Sequence, residues 1–144
     1  VISTAATIPV ALALGRGLLV TRFAVAGMVV IMVLSILLVA GVIPFETQFA
    51  GIILPVEAMF AWVWAMGRSG RLSRGLSRAA EVIGIGATVG FPLVAASWLL
   101  FPARSMAQIA LGALGVLLVA PAWFAFPIWL LGIAKSRARH PVPA

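Results

Sequence analysis

The chain has 144 residues, of which 64% are hydrophobic and 9% charged, with a mean hydropathy of +1.23 and a net charge of +7. A soluble domain is typically about 45 to 50% apolar and about 25% charged, so a soluble fold could not hide this much apolar surface, and the short stretches between apolar runs leave no room for an extramembrane domain. Cys, Tyr and Asp are absent, His140 is the sole histidine and Lys135 the sole lysine; thiolate-held zinc, iron–sulfur clusters and disulfides are excluded, and the apolar runs offer neither an imidazole for haem or chlorophyll nor a lysine for a retinal-type Schiff base.

In chain order, residues 1–22 come first. The stretch "TIPVALALG" is apolar but too short to span, and basic residues follow it instead of preceding it, which argues against a signal peptide. It reads as a cytoplasmic or interfacial segment, either a helix entering the first span at Arg22 or a disordered lead. Four runs then meet the length of about 20 residues needed to cross a hydrocarbon core of about 30 Å: residues 23–43, closed by Pro44; 49–67, containing Glu57; 79–101, with Glu81 in its first turns beside a helix N-terminus and Arg78; and 106–133, which has no ionisable residue. The expected fold is an all-α integral membrane protein with a four-helix domain over 23–134, short loops and a tail over 135–144, its "RHPVPA" end disordered. Pro55, Pro92, Pro121 and Pro127 predict bends in three of the four spans.

The basic residues set the orientation. Arg16 and Arg22 precede the first span, Arg68, Arg71, Arg74 and Arg78 fill the middle loop, and Lys135, Arg137 and Arg139 follow the last span, whereas the other two loops hold only Glu46 and Arg104. Short loops rich in Lys and Arg stay cytoplasmic, so both ends and the middle loop are expected inside. This clustering is a topology signal, not a phosphate-binding surface for nucleic acid; contact of the four loop arginines with anionic headgroups is the partner it implies. The wealth of Arg, Ala, Gly and Val matches GC-rich codons, and the expected location is a bacterial inner membrane.

Glu57 is the first candidate site. It lies eleven residues before Arg68, about 16 Å along a helix, near mid-bilayer, where an ionised acid costs about 2.5 to 3.5 kcal/mol and marks ion paths, proton relays or helix contacts. Ala61 and Ala65 follow at i+4 and i+8 and make a narrow face suited to close helix approach. In the third span, Gly86 and Gly90 form a GxxxG spacing with Gly84 beside it, again a packing signal. The fourth span carries "APAWFAFPIW", whose Trp123, Phe124, Phe126 and Trp129 surround two prolines and could border a pocket for lipid, quinone or pigment; no protein ligand for a cofactor accompanies them. Ser35, Thr88 and Ser97 are lone hydroxyls with no acid–base partner, so no hydrolytic site is supported. The loop "RSGRLSRGLSR" lacks the lysine and spacing of a P-loop.

In plan, a short four-helix chain with one intramembrane Glu is similar to the small multidrug-resistance transporters. Their acid is in the first helix, however, and the first span here is wholly apolar, so nothing of that family is carried over. The expectation is a non-catalytic accessory or structural subunit of a larger membrane complex, respiratory and photosynthetic ones included, or a homo-oligomer. The alternative is a small oligomeric transporter or channel subunit with Glu57 as the proton- or cation-coupling residue.

Overall fold

The structure is a computed structural model that describes the backbone of residues 2–15 and 18–139; Val1, Arg16, Gly17 and residues 140–144 lie outside the described residues, so of the end expected to be disordered only Arg139 is described, as the last residue of a helix. The described chain contains five α-helices: α1 (Ile2–Leu14), α2 (Leu19–Val39), α3 (Phe45–Arg68), α4 (Arg74–Leu100) and α5 (Met106–Arg139). The last four are long and apolar enough to cross a membrane.

Helix ends depart from the expected limits for local reasons. The first span, expected over 23–43, begins four residues earlier and stops at Val39. Gly41 has φ +70, its N–H bonds the carbonyl of Leu38 at 3.0 Å, and the N–H of Val42 bonds that of Leu37 at 2.9 Å. This is the Schellman pattern, in which a left-handed residue just past the helix satisfies the last free carbonyls. Gly41 thus ends α2 before Pro44 is reached. The second helix runs over 45–68, not 49–67, with Pro44 as its N-cap. The third starts at Arg74, five residues before the apolar run, because hydropathy marks the part of a helix that suits lipid and not where its hydrogen bonds begin. Glu81 consequently sits two turns inside α4, not in its first turns, and it forms no ion pair with Arg78 among the described residues. The fourth helix starts at Met106 as expected, with Ser105 Oγ accepting the N–H of Gln108 at 3.1 Å, and it continues to Arg139 unbroken across Pro121 and Pro127.

Short loops make sequential helices antiparallel neighbours: α2 packs on α3, α3 on α4, and α4 most extensively on α5. Such an order brings Arg22, the arginines of the α3–α4 loop and Lys135 to one end of the bundle, called here the basic end. Glu46 and Arg104 are at the other. The core is built mainly from α3, whose Val56, Met59, Phe60, Trp62, Val63 and Met66 are all buried. The outward side chains are no less apolar; Leu99, Phe124 and Leu131 are largely exposed.

α1 lies along the flank of this bundle. Thr7, Ala11 and Leu14 are buried, Leu14 meets the basic end by accepting a 2.8 Å hydrogen bond from Arg71 Nη1, and Thr4 and Thr7 line a crevice with Met59 and Trp123. The described part of the segment is a helix and not a disordered lead, and its inner face packs on α2 and borders α3 and α5. The Arg71 bond also satisfies a carbonyl at the end of α1 that has no partner within the helix.

Candidate functional site

Glu57 is set on α3 by the same register that makes the helix core. Residues 56, 59, 60, 63 and 66 face inward, which turns positions 57, 61, 65 and 68 toward the rim. Glu57, Ala61 and Ala65 are each partly exposed, so the small-residue face expected around the acid is only partly covered by this chain's own helices. On the α4 side of that face, the α3 backbone is close. A Cβ on Gly84 would stand 2.7 Å from Trp64 Cα, and Phe60 meets Phe91 with ring centroids 5.9 Å apart.

Two polar groups on this pair of helices are left without partners. Thr88 is one turn beyond Gly84 on α4, and Glu57 is two turns before Trp64 on α3. Glu57 Oε1 and Thr88 Oγ1 are both buried and both lack a hydrogen-bond partner. A buried polar atom left unpaired costs about 1 to 3 kcal/mol, so each is an unmet demand for a donor or acceptor. The sequence singles out Glu57 and shows Thr88 only as an isolated hydroxyl.

The glycines of α4 divide between two neighbours. Gly84 serves the α3 contact, whereas Gly86 and Gly90 face α5: a Cβ on Gly90 would stand 2.8 Å from the carbonyl of Gly115, and one on Gly86 would stand 3.2 Å from that of Leu118. The GxxxG spacing is therefore used inside the chain. Its counterpart, Gly112 and Gly115 in "GALG", was legible as a second small-residue pair in α5 but was passed over.

The aromatic group of α5 is split. Phe126 and the half-exposed Trp123 meet Phe60 at 5.7 and 6.0 Å, Trp129 is buried against Trp62 at 6.0 Å, and Phe124 is 74% exposed on the opposite face. Edge-to-face and offset contacts of this length favour aromatic packing. Trp129 Nε1 donates to the carbonyl of Leu76 at 3.0 Å, tying α5 to the start of α4. Beside these rings lies the crevice shared with α1, lined by Thr4, Thr7, Met59, Trp123 and Phe126 and about 100 Å³ in volume. That is well below the 300 to 1,000 Å³ of ordinary ligand pockets. Phe60, Trp62 and Phe91, which complete the cluster, were not singled out in the sequence because isolated aromatics in apolar runs carry no local signal.

The four loop arginines are all exposed. Arg68 stacks over the Trp64 ring at 5.8 Å, a cation–π contact, and Arg71 holds α1. Arg74 and Arg78 project from the first turns of α4. Among the described residues no group of three or more His, Cys, Asp or Glu is placed to hold a metal ion. Compared with protein-family models, with curated proteins and with solved structures, the chain matches none.

Proposed function

We propose that this chain is a multi-pass protein of a bacterial inner membrane, with both ends and the basic loop cytoplasmic, that serves as a non-catalytic subunit packing against other membrane chains. One observation carries the reading: a carboxyl oxygen at Glu57 is buried without a partner on a seam whose flank, Ala61 and Ala65, is left partly uncovered. Small residues permit another backbone to approach, and a polar atom in an apolar medium rewards a helix that brings a donor. The residue types suit adhesion better than chemistry, since Ala61 and Ala65 beside the acid carry no functional group.

Substitution at Glu57 tests this. Glu57→Gln keeps the hydrogen-bonding capacity and the shape, so association should stay within about twofold of the native chain. Glu57→Leu should weaken it about fivefold, the equivalent of about 1 kcal/mol for an interhelical hydrogen bond in a membrane. Native mass spectrometry from mild detergent, which should show a homo-oligomer or co-purifying chains, measures both. A native chain that persists alone as a monomer would sink the reading. Were Glu57 instead a coupling residue, Glu57→Gln would assemble normally yet lose proton-linked flux, because an amide cannot exchange the proton.

The orientation has its own test. Cysteines placed at Thr47 and Ser105 should react with a membrane-impermeant thiol reagent added outside intact cells, and one at Ser73 should not. Labelling of Ser73→Cys in intact cells would reverse the topology.

A further inference from the structure

The seam between α4 and α5 is tight where Gly90 meets Gly115. Toward the basic end it opens into a groove on the outer surface. A hollow of about 390 Å³, bordered by Gly75, Arg78, Val82 and Ala125, continues into a second of about 260 Å³ bordered by Gly86 and Pro121; Val82, Ile83 and Ala125 line both. The cause is local. Gly86 and Ala125 have little or no side chain to fill the space, while Val82 stands at the rim, 67% exposed.

Three features of this groove agree on one occupant. Its walls are apolar apart from Arg78. From Arg78 to Gly86 it runs eight residues, roughly 12 Å along the helix, most of one leaflet of a hydrocarbon core about 30 Å thick. At its mouth stands Arg78, exposed and without an ion pair among the described residues, so a cation heads an apolar channel that takes most of an acyl chain.

We infer that this groove holds an acyl chain of an anionic phospholipid from the leaflet at the basic end, with the lipid phosphate on the Arg78 guanidinium. The inference rests on reading the four long helices as membrane spans, not on a role for Glu57. A guanidinium presents planar, paired donors to a phosphate, and one basic residue near an anionic headgroup contributes about 1 kcal/mol, roughly a fivefold preference. The site differs from diffuse attraction of headgroups to the loop because it couples a charge to a shaped apolar channel.

The test uses the full chain in mild detergent, offered phosphatidylglycerol or phosphatidylcholine of matched chain length, with retained lipid counted by native mass spectrometry. The native chain should prefer phosphatidylglycerol. Arg78→Gln should lower retention of phosphatidylglycerol about fivefold and that of phosphatidylcholine, whose phosphate is offset by its own choline, by less, and Ala125→Phe, which fills the groove, should lower retention of both lipids. Arg104→Gln, at the opposite end, should change neither. Should Ala125→Phe fail to fold, Val82→Trp fills the same channel from its exposed rim and carries the same expectation. Native-like retention in Arg78→Gln and the filled variant overturns the proposal, as does an equal loss in Arg104→Gln. A photo-reactive residue at position 82 should cross-link to lipid in native membranes; cross-linking to a polypeptide would assign the groove to a protein partner and overturn it too. Failure of the chain to enter membranes at all would defeat the membrane reading itself, an outcome separate from any difference among these variants.

Discussion

Replacing Gly90 by Leu should abolish recovery of the folded protein, and Gly90→Ala should destabilise it by about 1 to 3 kcal/mol. A Cβ at this position would lie 2.8 Å from the carbonyl oxygen of Gly115 and 2.6 Å from Val119 Cγ2. The valine can rotate, but the carbonyl belongs to the backbone of α5, so relief requires the two helices to separate. That separation would be costly because α4 and α5 form the most extensive helix pair. Between helices solvated by lipid there is little hydrophobic drive to offset lost packing. Gly75 provides the control. A Cβ there meets nothing within 4 Å, so Gly75→Ala should cost nothing and can gain up to about 1 kcal/mol of helix propensity. Unfolding by SDS titrated into mild detergent, followed by circular dichroism, should order the variants as Gly75→Ala, native, Gly90→Ala; Gly90→Ala with native stability would refute the close α4–α5 contact.

Phe60→Ala is expected to cost about 2 kcal/mol in the same assay. The ring is fully buried and touches Phe91, Trp123 and Phe126 at centroid distances of 5.7 to 6.0 Å, so one truncation leaves a void shared by α3, α4 and α5. In water-soluble cores Phe→Ala costs about 3 to 5 kcal/mol. Part of that is transfer of the side chain from water, which is missing when the unfolded helices stay in lipid, and the estimate is lowered for that reason. Phe60→Leu, which refills part of the void, should recover about half of the loss. Equal stability of Phe60→Ala and the native chain would mean that the aromatic cluster does not hold α5 to α3.

The two experiments also separate the packing role of α4 from the proposed docking role of α3. Gly90 and Phe60 act within the chain, whereas Glu57, Ala61 and Ala65 border a face that the chain leaves partly uncovered. Substitutions at the first pair should lower unfolding stability, while those at the second should alter association at nearly constant stability. A Glu57→Leu chain that unfolds much more readily as a monomer would locate the acid's partner inside the bundle.

Much of this architecture is written in short stretches of sequence. Whether a segment is apolar for about 20 residues is a local property, and it determined the number and type of the long helices. The gathering of basic residues at one end follows likewise, because two helices lie between one basic cluster and the next. Helix limits were legible only in part: Gly41 carried the signal for the end of α2, but α2 starts before Arg22, whose charge interrupts the apolar run, and α4 starts in polar sequence where hydropathy is silent.

Tertiary structure decided what depends on rotation and partner choice. Gly84, Gly86 and Gly90 look alike in sequence, yet successive helical residues turn by about 100°, and that rotation sends the first to α3 and the other two to α5. The same rotation buries Trp129 and leaves Phe124 outside within one aromatic run. Phe60 meets Phe91 because antiparallel pairing brings residues 31 positions apart into one neighbourhood, and α1 is held to the flank by Arg71, 57 positions beyond Leu14. Hydropathy is a sum over neighbours in the chain, whereas these relations are between neighbours in space, and only the packed helices bring the two sets together.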